Sequence, residues 1–260
     1  MNIKEESFME EEKMINIVIP MAGRGSRFAN VGYKMPKPLI DVKGHYMIEW
    51  VVRNLTPACE HRFIFMCLKE HIDEWNLNEY LEKIAPGCVV IPVDKVTEGP
   101  ACTVLLAKDY IDNDDELMIA NSDQFVNCDI NEYHSVMGDN DGLIMTLYTE
   151  DPKWSFIKFD ENGFVTLVRE KEVISNEATV GIYNFKHGSD YVKYANEMID
   201  LNLRVNNEFY VAPVYNQFIE AGKKIVFKNY GSEGNGMYGL GIPEDLIKFN
   251  EFVDAGVVKF

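Results

Sequence analysis

The chain has 260 residues, 47% of them hydrophobic, enough to bury a sizeable core in one large α/β domain with at most a small appendage. Its formal net charge of −17 disfavours a nucleic-acid polymer or an anionic membrane as partner, because either would be repelled at long range. Cys59, Cys67, Cys88, Cys102 and Cys128 are odd in number, scattered and without a C-x-x-C pair, which argues against a disulfide framework or a zinc site and for a reducing cytoplasm.

Residues 1–14 carry Glu5, Glu6, Glu10, Glu11 and Glu12 and read as a flexible acidic leader, with Met14 as a candidate start. No apolar run there resembles a signal peptide or a membrane span. Residues 15–260 are read as one domain, with a nucleotide-binding half to about residue 130 and an acceptor-binding half beyond it. Residues 15–20 are short, β-branched and stopped by Pro20, which suits a buried parallel strand. A glycine-rich loop follows, and then Met47, Ile48, Val51, Val52 and Leu55 recur at helical spacing. Strands are predicted over 63–68, 89–93 and 116–120, and helices over 77–84 and 101–111. This alternation predicts an α/β fold with a doubly wound, mostly parallel sheet.

Beyond residue 140 the pattern changes. Strands are predicted over 142–149, 155–159, 164–169 and 179–185, with Glu161-Asn162-Gly163 as a hairpin turn, so this half is expected to pair antiparallel. Ser189-Asp190 is read as the cap of a helix reaching about Leu201, followed by a helix over 214–221 and a strand over 224–228. A last helix is entered through Pro243-Glu244-Asp245.

An anionic substrate is compatible with so acidic a chain only if cations gather locally, and three segments meet that demand. Directly after the first strand stands Met21-Ala22-Gly23-Arg24-Gly25-Ser26-Arg27-Phe28. Its glycines let backbone N–H groups approach phosphate oxygens, and Arg24 and Arg27 add fork-shaped charged donors. Phe28 breaks a G-x-G-x-x-G pattern and no G-K-[ST] is present, so taken alone the loop is equally well a tight strand exit. Second, Pro36-Lys37-Pro38 sets a lysine between prolines, with its backbone expected to be extended and its ammonium held with little local freedom. Third, Asn121-Ser122-Asp123 ends a predicted strand, where open α/β sheets bind ligands; Asp123 is a candidate Mg²⁺ ligand, its plain alternative being a turn cap. Phe125 rules out a D-x-D pair.

In this order and spacing the segments resemble the sugar-1-phosphate nucleotidyltransferase family, which has a Rossmann-like, GT-A-type fold. Pro36 to Ile40, Glu98-Gly99-Pro100-Ala101, Val168-Arg169-Glu170-Lys171, Thr179 to Tyr183 and Gly241 to Leu246 extend the resemblance over nearly the whole chain. It implies that Arg27 contacts the β- and γ-phosphates of a nucleoside triphosphate, Lys37 the α-phosphate, Asp123 the Mg²⁺ and Lys171 the phosphate of the acceptor. Met21 to Ser26, Asp94, Glu98, Gly99 and Ser122 are implied to bind nucleotide, and Glu170, Thr179, Gly181 and Tyr210 the acceptor. Trp154, Phe156 and Tyr183 are further aromatic candidates for pocket or core. The second pKa of a phosphate monoester is about 6, so the nucleophilic oxygen is already anionic near neutrality and no catalytic base is required of the histidines. Positioning and charge neutralisation are the remaining tasks.

Two departures from the family pattern stand out. Pro213 and Gly239 occupy positions where a second metal-binding aspartate is expected; Glu208, Glu233 or water is left to replace it. Asp94 replaces a glutamine that reads uracil or thymine, and a carboxylate only accepts hydrogen bonds, which favours the amino group of cytosine and hence CTP. By resemblance the acceptor is a sugar-1-phosphate, a phosphorylated amino-acid amide or a phosphocholine-like compound, activated for surface polysaccharide. A homo-oligomer is compatible with the sequence. A metal-dependent glycosyltransferase and a non-catalytic nucleotide-binding regulator are the alternatives.

Overall fold

A computed structural model describes residues 14–260, so the expected leader, Met14 apart, lies outside the described residues. In chain order the elements are β1 (Ile15–Met21), α1 (Ser26–Ala29), β2 (Asp41–Val42), β3 (His45–Tyr46), α2 (Met47–Leu55), β4 (His61–Leu68), α3 (Lys69–Trp75), α4 (Leu77–Ile84), β5 (Val89–Val93), α5 (Pro100–Leu105), α6 (Lys108–Ile111) and β6 (Glu116–Ala120). There follow β7 (Gln124–Val126), α7 (Ile130–Ser135), β8 (Gly142–Tyr148), β9 (Ser155–Phe159), β10 (Val165–Glu170), β11 (Glu177–Phe185), α8 (Gly188–Asp200), α9 (Tyr215–Glu220), β12 (Ile225–Glu233), β13 (Gly236–Gly239) and α10 (Pro243–Asp254).

One large sheet runs in the order β5-β4-β1-β6-β11-β8-β12-β13-β7, with β9 and β10 branching from β11. The first four strands are parallel, as the alternation of strands and helices predicts. Successive residues of β1 and β4 point to opposite faces yet are buried alike: Val18, Ile64 and Met66 join one core, and Ile17, Ile19, Phe63 and Phe65 the other. Such double burial needs helices on both sides. Ile48, Val51 and Leu55 of α2 with Leu77 and Leu81 of α4 cover one face; α5, α6, α8 and α9 cover the other through Val104, Ile111, Met198 and Phe218. A third cluster packs Leu246 and Phe249 of α10 against Phe28, Trp50 and Tyr238, tying the last helix to the loop after β1.

At β11 the sheet turns antiparallel against β6 and β8, and β9 and β10 form the expected hairpin. β12 departs from expectation by joining β8 in parallel. The 101–111 helix is two helices, with Ala107 out of helical geometry at φ −89° and ψ 8°. The Ser189-Asp190 cap is also corrected: His187 is the N-cap, with no side-chain capping bond, and Asp190 instead accepts from Lys223 Nζ at 2.9 Å. Glycine opens α8 because a β-carbon at Gly188 would lie 2.0 Å from the Ile111 carbonyl oxygen. Among the described residues, no helix is long and apolar enough to cross a membrane.

Candidate active site

The carboxyl ends of the parallel strands β5, β1 and β6 carry the 94–99, 22–28 and 121–123 connections onto one rim of the sheet. Met21 and Ala22 bury their side chains, leaving backbone to face a ligand. A β-carbon at Gly23 would meet nothing within 4 Å, so the chain there is open to a close approach. Gly25 takes φ 59° as the N-cap of α1, and its missing β-carbon lets the Lys37 side chain pack against it, at 3.2 Å from the position that carbon would hold. Arg24, Ser26 and Arg27 are exposed around this turn.

Lys37 corrects one expectation and meets another. Its backbone is not extended: it opens a 3-10 turn, Lys37–Leu39, after an extended Pro36. With both prolines buried, the ammonium is nonetheless fixed, and Nζ donates to Asp123 Oδ2 at 2.6 Å. Asp123 is positioned from behind, since its carbonyl accepts the Leu240 N–H at 2.8 Å. Ser122 is buried beside it.

Two residues before Asp123, Asn121 enters the wall of a cavity of about 270 Å³, whose lining includes Trp154, Ser155, Glu170, Lys171, Thr179, Gly181, Tyr183 and Tyr210. The polar groups are already bonded to one another. Ser155 Oγ donates to the Glu170 carboxylate, and the Thr179 and Tyr183 hydroxyls share a bond of 2.9 Å. Burial pushes the Glu170 carboxyl above its ordinary pKa, against the opposing pull of the Ser155 bond and the Lys171 charge. Lys171 sits at φ 55°, its N–H bonded to the Trp154 carbonyl and its Nζ donating to the Tyr210 hydroxyl at 2.7 Å. Burial lowers the pKa of its ammonium, but the Tyr210 acceptor and the Glu170 and Glu208 carboxylates outweigh this and raise it. The buried Trp154 indole N–H has no acceptor among the described residues.

Gly181 makes this wall possible. At φ 85° it breaks the β11 register between Thr179 and Tyr183, its carbonyl accepts the Asn121 N–H at 3.0 Å, and a β-carbon would fall 2.1 Å from Asn121 Nδ2. Gly99, at φ 138°, plays the same part across the cavity. The Phe209 N–H donates to the Glu98 carbonyl, the Ala101 N–H to the Phe209 carbonyl, and a β-carbon at Gly99 would lie 2.4 Å from Phe209 O. The loop carrying Tyr210 is thereby sewn to the 98–101 turn, where the Glu98 carboxylate is taken by Arg204 at 2.5 Å. Asp94 is exposed just after β5.

The family resemblance implies a divalent metal, and the donor set fits Mg²⁺, which binds through one or two carboxylates and completes its octahedron with water and substrate phosphates. Among the described residues no three His, Cys, Asp or Glu side chains gather into a cage. Glu233 pairs with Lys153 Nζ through both oxygens at 3.1 and 3.0 Å. Lys153 and Ser155 are cavity residues that the sequence reading missed; their only signal is the Asp-Pro-Lys-Trp-Ser run ahead of β9. Phe156 is fully buried in the core.

Residues 16–230 match the family described as Nucleotidyl transferase, and the chain belongs to it. It is 23% identical over 179 residues to the bifunctional protein GlmU of Methanococcus aeolicus, covering 66% of this chain and 40% of that one; the chain spans less than half the length of that relative. The fold is shared with the nucleoside-diphosphate-sugar pyrophosphorylase from Vibrio cholerae RC9, at TM-score 0.78 and 24% identity over 90% of this chain and 99% of that chain. It is shared too with the inositol-1-phosphate CTP transferase from T. maritima, at TM-score 0.71 and 15% identity over 93% and 96%. These likenesses bear out the Rossmann-like architecture.

Proposed function

We propose that the protein joins a nucleoside triphosphate, CTP by preference, to a small phosphate monoester and releases pyrophosphate. The observation that carries this reading is the Lys37 ammonium on Asp123, two residues from the wall of a cavity that holds a second fixed ammonium on Lys171. A phosphate oxygen of the acceptor attacks the α-phosphorus, that P–O bond forms, and the bond to the β-phosphate bridging oxygen breaks with its electrons leaving on pyrophosphate. Lys171 holds the acceptor phosphate and Lys37 the α-phosphate, so each side of the reaction brings its own cation. Arg27 and the backbone of residues 22–26 take the outer phosphates, and Asp123 would hold Mg²⁺, which neutralises charge across the phosphates.

For the base, the exposed Asp94 carboxylate on the rim favours the cytosine amino group. For the acceptor, the Ser155, Thr179 and Tyr183 hydroxyls around Glu170 favour a polyhydroxylated monoester such as a sugar-1-phosphate, an activated unit for surface polysaccharide made in the cytoplasm. A pyrophosphate-release matrix tests both: CTP, UTP, dTTP, ATP and GTP against sugar-1-phosphates, phosphocholine and phosphorylated amino-acid amides with Mg²⁺. Release with CTP and a sugar-1-phosphate is expected. A preference for UTP or dTTP would overturn the base assignment, and no release from folded protein with any pair would sink the reading.

A further inference from the structure

Gly239 stands where a second metal-binding carboxylate is expected, and the surrounding geometry shows what fills its space. Neither Gly239 nor Gly241 has a positive φ, so the backbone does not demand glycine at either position. A β-carbon at Gly239 would meet a single group within 4 Å, the Asp245 carboxyl, with Oδ2 at 3.3 Å and Cγ at 3.7 Å. A β-carbon at Gly241 would likewise meet only Asp123, with Oδ2 at 3.1 Å and Cγ at 3.9 Å. The two glycines thus clear room for two carboxylates, one from the strand end after β6 and one from the first turn of α10.

Asp245 is well placed for more than helix capping. Glu244 also lies in the first turn and is exposed, so the helix dipole has a carboxylate without Asp245. Among the described residues no hydrogen bond holds the Asp245 carboxylate, which lines one pocket with Gly239, Glu233 and Lys248. Its position is fixed by the core, because its chain neighbour Leu246 packs with Phe28 and Trp50 beneath the glycine-rich turn. Strand β13 holds the other side through the Leu240 N–H bond to the Asp123 carbonyl.

We propose that Asp245 supplies the carboxylate that Gly239 lacks, so that Asp123 and Asp245 together hold the divalent cation while phosphate oxygens and water complete its shell. The inference rests on the nucleotidyltransferase reading for the metal itself. It also explains why position 239 can be glycine: the carboxylate has moved from the strand to the helix that follows it, and an aspartate at 239 would compete with Asp245 for the same space.

The test uses Mn²⁺ alone with the purified full chain, free Mn²⁺ being counted by electron paramagnetic resonance, which needs no turnover. Circular dichroism checks that each variant is folded. Asp245→Asn and Asp123→Asn are each expected to weaken Mn²⁺ binding roughly tenfold or more. Adding Gly239→Asp to Asp245→Asn is expected to restore binding to within about threefold of wild type, on the same scale. Glu233→Gln is expected to leave binding unchanged. Loss with Asp123→Asn but not with Asp245→Asn overturns the inference and leaves the nucleotidyltransferase reading standing. Loss with Glu233→Gln in place of Asp245→Asn, or no binding by the wild type, overturns it as well; the pyrophosphate-release matrix then judges the broader reading separately.

Discussion

The two sides of the site are built differently. On the acceptor side nearly every polar side chain already has a protein partner: Glu170 has Ser155, Thr179 has Tyr183, and Lys171 has Tyr210. On the proposed nucleotide side Gly23 faces open space, Arg24 and Arg27 are exposed, and Lys37 is bonded to Asp123. The cavity wall is thus preorganised, whereas the glycine-rich turn is left to be ordered by the triphosphate proposed to bind it. Preorganisation suits the partner that must be selected by shape, and open backbone suits a triphosphate, whose own charges can order the donors around it.

Breaking the cradle should have the largest effect. Lys37→Ala removes the cation assigned to the α-phosphate and is expected to lower kcat by roughly 10²- to 10³-fold, with the fold intact by circular dichroism. The same change leaves Asp123 without its partner at 2.6 Å, so Mn²⁺ binding in the absence of nucleotide should tighten even as turnover falls. Opposite movements of these two quantities would establish that Lys37 masks Asp123 in the free protein and exchanges it for phosphate. A parallel loss of both would mean that the lysine only supports the loop.

On the acceptor side Tyr210→Phe is the sharper probe. It keeps the ring, over which Lys171 Nζ lies 4.7 Å from the centroid, and removes only the hydroxyl that accepts the 2.7 Å bond. Loss of one charged hydrogen bond is expected to lower kcat/KM for the acceptor roughly tenfold and to leave the KM for nucleotide unchanged. Because the Tyr210 hydroxyl is the leading group that raises the Lys171 pKa, the alkaline limb of the pH profile should move to lower pH. A change confined to nucleotide KM would erase the division between the two sides.

The glycine-rich turn, Lys37 and Asp123 stand out in local sequence, whereas the cavity residues Glu170, Lys171, Thr179, Gly181 and Tyr210 were named only through the family resemblance. Glycine, proline and charge mark a strand exit and a rigid lysine locally, so Gly23 to Arg27, Lys37 and Asp123 are found from adjacent residues. The acceptor wall depends on residues distant in sequence: Lys171 meets Tyr210, and Gly181 meets Asn121, only after β11 has crossed between β6 and β8. Helix α3 escaped because it buries no residue and so leaves no periodic apolar signal, and β7 and β13 because three or four residues are too few to show alternation. Asp245 reads in sequence as a helix start alone. Its second environment exists only because Gly239, on a different element, lacks a β-carbon.

Glu170 gives the smallest and most diagnostic effect. Its carboxyl is raised above the ordinary value by burial, so the folded state retains its proton to a higher pH than the unfolded chain does. That contribution is fully present below the ordinary glutamate pKa of about 4.3 and is lost as pH rises through the folded value, above which the wild type carries the cost of an ionised, half-buried carboxylate. Glu170→Gln, neutral throughout, should therefore gain stability relative to wild type as pH rises across this window, by under about 1 kcal/mol, and the gain should level off above it. Urea unfolding at several pH values measures the gain, and acceptor KM should rise in the same variant because an amide accepts hydroxyl donors more weakly than a carboxylate. Stability gained together with acceptor binding lost is the signature of a charge kept for function against the preference of the fold. A pH-independent difference would make Glu170 an ordinary partner of Ser155 and remove the acceptor wall's claim to be preorganised at its centre.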